Sequence, residues 1–151
     1  MRLSQTLLTL TMTAMLSASG SSDATRIRIL VLDALDGKPQ AGVDIGYLCD
    51  EIPHWSKYEM TDKTGIVEVP FLCKPGKKIE LWAVPHDHKE GCGGGVAAMR
   101  EEIQSSGVIS RPDSAGGIWC PTKISRKLTA VPGQVTLFVK KPTWWQSHVA
   151  G

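Results

Sequence analysis

The sequence DGKPQAGV at residues 36–43, together with TDKTG at residues 61–65, indicates how this chain folds. An Asp-Gly pair favours a tight turn, and the proline after it fixes the backbone as the chain leaves that turn. After each turn, apolar and polar residues alternate as they do in a β-strand that buries one face. The two turns therefore predict a small β-sandwich, and they carry little information about activity.

Short alternating segments recur along the chain between glycine and proline turns. The clearest predicted strands are residues 26–32, 43–49, 67–71, 79–83 and 135–139, and strand character also returns around residues 118–128. This pattern predicts a mostly β fold, an antiparallel Greek-key-type β-sandwich of about seven strands with one short inserted helix. The residues expected to face inward are Val43, Ile45, Val67, Val69, Leu81, Val135 and Leu137.

Residues 1–20 have the layout of a secretory signal peptide. Arg2 supplies the positive start, residues 7–16 form a short apolar run, and residues 18–20 are small. The run is shorter than the roughly 20 apolar residues that span a membrane. We therefore expect an exported protein, secreted or periplasmic, without a membrane span. A disordered N-terminal tail is the alternative interpretation.

The rest of the chain is long enough for one domain, which we place at residues 25–141, with a C-terminal tail at residues 142–151. The formal net charge of the whole chain is +2, and its basic residues are spread in pairs along the sequence. Nucleic-acid binding requires basic groups concentrated on one face of a protein. We therefore expect no nucleic-acid partner.

The four cysteines, Cys49, Cys73, Cys92 and Cys120, are even in number and follow the predicted signal peptide. In an exported chain this pattern indicates two disulfides, and three pairings are open. Sequence order favours Cys49 with Cys73 and Cys92 with Cys120, because each pair would close one local loop of the chain. The spacings match no Cys-x-x-Cys zinc or redox motif.

Residues 86–117 interrupt the strand pattern. Residues 91–95 are nearly all glycine, and Val96, Met99 and Ile103 follow at helical spacing. We interpret the segment as a loop and short helix inserted into the sandwich, with the sandwich strands outside it. Long loops in compact domains are usually functional or disordered. The segment is therefore expected to take part in whatever this protein recognises.

Candidate site residues are few. His86 and His88 are two apart, so in an extended segment both imidazoles would meet one metal, with His54 as a third ligand and Glu90 or His148 as alternatives. Two histidines without a clear third ligand are more typical of a solvated loop. No cofactor is expected, because the glycine run lacks the Lys-Ser/Thr of a phosphate-binding loop.

The C-terminal pair Trp144 and Trp145 is a candidate stacking platform for a sugar or a partner surface. The competing interpretation, which we favour, is that one indole covers the open end of the sandwich. No catalytic residue is assigned, since neither Gly-x-Ser-x-Gly nor His-Glu-x-x-His occurs in the sequence.

The order of the turns resembles a known family. A strand leads into DALDGKP at residues 33–39, AGVDI follows at residues 41–45, TDKTG precedes a strand, and PGQVTL closes the pattern at residues 132–137. This arrangement resembles the carboxypeptidase regulatory-like domain, a prealbumin-like (transthyretin-like) β-sandwich. The resemblance covers roughly residues 25–85 and 118–140. It departs from the family in the segment 86–117 and in the four cysteines.

The resemblance implies a domain without catalytic activity, because members of this family act as accessory or spacer modules in exported proteins. Some related sandwiches bind carbohydrate or partner proteins. The sequence therefore favours an exported, non-enzymatic binding or structural module with a protein or carbohydrate partner. The alternative is a secreted hydrolase or metal-binding protein that uses residues 86–117.

Overall fold

The computed structural model describes residues 26–49, 59–84, 92–111, 120 and 124–140. The strands in these residues are β1 (Arg26–Asp33), β2 (Asp44–Cys49), β3 (Glu59–Met60), β4 (Ile66–Pro70), β5 (Lys78–Val84), β6 (Cys92–Gly93), β7 (Gly95–Met99), β8 (Val108–Ile109) and β9 (Gln134–Lys140). One α-helix, α1, spans Arg100–Ser105, and a 3₁₀ helix spans Ile124–Arg126.

The strands form two facing sheets. The first sheet has the order β4-β1-β9, and both β6 and β8 pair with the far side of β9. The second sheet has the order β3-β2-β5-β7. Pairing is mostly antiparallel, but β9 runs parallel to both β1 and β8. The predicted β-sandwich with one short helix is confirmed, with nine strands in the described residues instead of about seven.

The inner faces of the two sheets share one apolar core. Alternation places every second residue of a strand on this side, as in Ile27, Ile29 and Val31 of β1. Burying a side chain of this size stabilises the fold by about 1.5–3 kcal/mol. Of the residues predicted to face inward, Val67 is half-buried against the core, and the other six are buried: Val43, Ile45, Val69, Leu81, Val135 and Leu137.

The two turn sequences lie side by side, and one side chain joins them. The hydroxyl of Thr61 donates to the carbonyl oxygen of Gln40 at 2.7 Å and accepts from the backbone N–H of Val43 at 3.0 Å. Thr61 is buried, so both hydrogen bonds are largely shielded from water. The first turn is thereby held in place by the second.

The second turn requires glycine and an aspartate. Gly65 has a φ of 73°, and a Cβ there would lie 2.8 Å from the backbone nitrogen of Gln40. The carboxylate of Asp62 accepts hydrogen bonds from the Thr64 hydroxyl at 2.6 Å and from the backbone N–H groups of Thr64 and Ile66. The Thr64 hydroxyl first, and then the two N–H groups, lower the pKa of the Asp62 carboxyl below its ordinary value.

The chain forms two disulfides, and the pairing favoured by sequence order is confirmed: Cys49 with Cys73 and Cys92 with Cys120. The first bridge links the end of β2 to the chain just after β4. It lies at the end of the sandwich where β1 begins. The second lies at the opposite end, because Cys92 is paired with Lys140, the last residue of β9. Disulfides are typical of oxidising, extracellular environments.

The described part of the segment 86–117 belongs to the sandwich, which corrects the expectation that the sandwich strands lie outside it. Residues 92–111 supply β6 and β8 to the first sheet and β7 to the second. Ile103 of α1 is 1% exposed and joins the central core. A helix was predicted here, and α1 confirms it. It ends at Ser105, as expected from the glycine at position 107.

The strand β7 was missed because its pattern is short and weak. Val96 and Ala98 point into the core, with period two, whereas the sequence suggested helical spacing from Val96 onward. Small residues at three of its five positions give little contrast between its faces. Pairing with β5 across a long stretch of chain, and not local propensity, makes this segment a strand.

Residues 120 and 124–130 form a third layer, which we call the cover. They were expected to have strand character, but the cover contains only the 3₁₀ helix at Ile124–Arg126. It packs on the outer face of the first sheet, where it buries Leu32 and Phe138. The apolar residues that the cover contributes are Cys120, Ile124, Leu128 and Ala130.

Candidate functional site

A pocket of about 280 Å³ opens where the edges of the two sheets meet, between β7 of the second sheet and β8 of the first. We call this boundary the seam and its cavity the seam pocket. The lining residues are Val96, Ala97, Glu102, Gly107, Val108, Ile109, Arg111 and Ala130. They come from β7, α1, β8 and the end of the cover, so the pocket exists only in the folded chain.

Gly94 forms one end of the seam, where the chain passes from the first sheet to the second. Its N–H donates to the carbonyl oxygen of Phe138 in β9, and its own carbonyl oxygen accepts from the N–H of Ala83 in β5. A Cβ at this position would lie 2.9 Å from the Phe138 carbonyl oxygen. The close approach therefore requires glycine, and one residue links the two sheets by backbone hydrogen bonds.

Ser110 joins the two walls next to this corner. Its N–H donates to the carbonyl oxygen of Thr136 in β9, and its hydroxyl donates to the carbonyl oxygen of Gly95 in β7 at 2.7 Å. Ser110 is fully buried, so the bond is protected from competing water. The Ser110 side chain thus links β7 to the end of β8 in place of a backbone hydrogen bond. The pocket lies further along the seam.

The helix α1 fixes the other end of the seam. Its Ile103 side chain is anchored in the core, and the Ile103 carbonyl oxygen accepts from the N–H groups of Gly107 and Gly133. These bonds tie the chain before β8 and the chain before β9 to the same helical turn. The walls of the pocket are therefore held by backbone bonds at both ends.

The surface of the pocket is polar and apolar in nearly equal parts. The half-buried Val108 contributes aliphatic surface, and Glu102 and Arg111 are the ionisable groups in the lining. Pockets for drug-sized ligands and cofactors occupy about 300–1,000 Å³. The seam pocket is smaller, so it suits one or two side chains of a larger partner.

The site residues expected from the sequence do not contribute to this pocket as far as it is described. His54, His86 and His88, the candidate metal ligands, lie outside the described residues, as do Trp144 and Trp145. Within the described ranges, no three His, Cys, Asp or Glu side chains gather as a metal site. No helix among the same residues is long and apolar enough to cross a membrane.

Sequence reasoning missed the residues of the seam pocket. In the sequence, Glu102, Ala97 and Ile109 carried no signal that marked them as site residues. The period of two at Val96 and Ala98 covers too few residues to identify β7 as a strand.

The fold and the pocket define a class, a disulfide-linked two-sheet β-sandwich with a small pocket in its seam. Comparison with protein-family models and with curated protein sequences finds no match to this chain.

Proposed function

We propose that this chain is an exported, non-enzymatic binding module of the carboxypeptidase regulatory-like type, and that a protein partner inserts a side chain into the seam pocket. The observation that carries this proposal is the pocket itself, whose walls are held by backbone hydrogen bonds at both ends. A preformed site of this kind binds without the ordering cost of a flexible loop.

Two further features support export and the family. The layout of residues 1–20 is typical of a signal peptide, and the two disulfides are typical of an oxidising compartment. The interlocked turns around Thr61 and Gly65 lie within residues 25–85, which together with residues 118–140 resemble the carboxypeptidase regulatory-like domain.

The test is a binding screen of the oxidised protein against displayed linear peptides and, in parallel, against a glycan array. We expect peptides to be selected, and Ala130→Phe to abolish their binding because the ring fills the pocket. Val131→Phe is the matched control, since Val131 is the next residue, is half exposed and does not line the pocket. Selection of glycans alone, or equal binding by Ala130→Phe, would contradict the proposal.

A further inference from the structure

From the backbone geometry of the seam we infer that its ligand is an extended peptide segment of a partner protein, which pairs with the free edge of β7 and places a lysine or arginine beside Glu102. This inference rests on the proposed function and names the kind of partner. It depends on three observations: the direction of the backbone groups in β7, their direction in β8, and the charge of the lining.

The hydrogen bonds of β7 show which of its residues face the seam. Gly94 accepts from Ala83 of β5, and residues two apart in a strand point the same way, so Val96 and Ala98 also bond to β5. Gly95 and Ala97 therefore point away from β5. The Gly95 carbonyl oxygen confirms this direction, because it accepts from Ser110 across the seam.

The backbone N–H and C=O of Ala97 face the pocket. Ala97 lies in the middle of an edge strand and lines the seam pocket, and neither backbone group has a partner among the described residues. Exposed edge groups of this kind are a template for pairing with another extended chain. A peptide residue opposite Ala97 would satisfy both groups at once.

The opposite wall of the seam, formed by β8, also has backbone groups that point away from its own sheet. Ser110, which follows β8, donates to Thr136 of β9, and residues two apart point the same way, so the backbone groups of Val108 and Ser110 face β9. The N–H and C=O of Ile109, the residue between them, consequently point away from β9. The seam thus has backbone donors and acceptors on both walls, the arrangement that an extended main chain recognises.

The charge of the lining selects the side chain of the peptide. The carboxylate of Glu102 is exposed at the pocket and has no partner among the described residues. Arg111, the other ionisable residue in the lining, already has an interaction of its own. Arg100 is held elsewhere, by the carbonyl oxygen and the ring of Phe71. The exposed carboxylate of Glu102 is therefore the group in the lining that complements a cationic residue.

The size of the pocket indicates a short apolar residue next to that cation. A volume of about 280 Å³, lined in part by aliphatic side chains, accommodates a side chain such as valine or leucine, and β7 is only five residues long. Residues two apart on an extended peptide point the same way, so the apolar side chain and the cation would be two positions apart. A second copy of this chain could also use an edge strand, and the experiment below separates that case.

The first experiment screens a random linear peptide library against the oxidised wild-type protein and two variants. We expect the wild type to enrich an aliphatic residue with lysine or arginine two positions away. Glu102→Lys should weaken the selected peptides by roughly three- to tenfold, because an exposed attraction becomes a repulsion. Glu101→Lys, on the same helix but outside the lining, makes the same change of charge and should leave binding unaltered.

The second experiment tests the backbone pairing. N-methylation at successive positions of a selected peptide should weaken binding only at alternate residues, by roughly two- to tenfold for each lost hydrogen bond. Ala97→Pro removes the N–H that faces the seam without removing a bond to β5, and should have a similar effect. Ala97→Ser keeps that N–H and is the control.

The outcomes distinguish the two proposals. Peptides that bind at the pocket but ignore N-methylation and Glu102→Lys would overturn the extended-peptide inference and leave the binding module standing. Absence of any ligand blocked by Ala130→Phe would overturn both. A dimer in analytical ultracentrifugation that Ala97→Pro converts to monomer would assign the edge to a second copy and overturn the partner named here.

Discussion

The outer faces of the two sheets differ although their inner faces share one core. In the first sheet the outward residues Leu32, Thr136 and Phe138 are buried under the cover. In the second sheet the outward residues Leu48 and Trp82 are only partly buried. The described residues therefore form two layers on one side of the core, the first sheet and the cover, and one layer on the other, the second sheet.

This difference shows that strands in the same sandwich can have two environments, one covered on both faces and one covered on a single face. Five successive residues of β9 are buried, which is the behaviour of a strand covered on both faces. In β5 burial alternates along the strand, which is the behaviour of a strand with one face toward solvent. The cover, and not the strand itself, decides which case applies.

The largest expected effect tests whether the outer face of the first sheet is a true core. Phe138→Ala should destabilise the protein by about 3–5 kcal/mol, because a buried ring is lost and a cavity remains. Leu48→Ala, the matched change on the outer face of the second sheet, should cost about 1 kcal/mol or less, since that side chain is partly in water. Denaturant unfolding measures both. Equal costs would mean that the two outer faces are equivalent.

The next effect concerns the bridge that anchors the cover. Replacing Cys92 and Cys120 together with alanine opens a loop between residues separated by 28 positions, and should cost roughly 3–4 kcal/mol by loss of chain constraint. Hydrogen exchange should then accelerate in β9, which lies under the cover, more than in β5. Before any mutation, the unfolded and unreduced protein should contain no free thiol. Four free thiols would refute both bridges.

A smaller effect is expected at the glycines beside each sheet. Gly94→Ala places a Cβ against the backbone of Phe138 in the first sheet, and should cost about 1–3 kcal/mol because the backbone must shift. In Gly46→Ala the three atoms nearest to the new Cβ belong to the side chain of Trp82, on the outer face of the second sheet. A partly exposed side chain shifts more readily than backbone, so the loss should be smaller. Thermal melts of the two variants decide the order.

The smallest effect lies in the turn between β3 of the second sheet and β4 of the first, and it depends on pH. The pKa of the Asp62 carboxyl is lowered in the folded protein, chiefly by the Thr64 hydroxyl. The stabilisation is therefore fully present above the ordinary pKa of an aspartate and is lost as the pH falls through the lower folded value. Asp62→Asn should flatten the acid limb of the stability curve. An unchanged acid limb would show that the turn does not respond to this charge.

The sequence alone determined the parts of this protein that are local. Alternation in residues 26–32, 43–49 and 79–83 predicts their strands and inward faces, because a side-chain period of two is visible within a few residues. Asp62 and Gly65 predict their turn, since each has a specific role in its geometry. The four cysteines predict two bridges, and sequence order favours the pairing that forms.

Only the tertiary structure decided the parts that depend on distant contacts. Strands of two to five residues, such as β6, β7 and β8, are too short to show a period, and pairing with β5 or β9 creates them. The cover and the seam pocket follow from those pairings, because Ala97, Ile109 and Ala130 become neighbours only when both sheets have formed. Backbone hydrogen bonding between remote segments leaves no local signature, and this is why the pocket could not be read from the sequence.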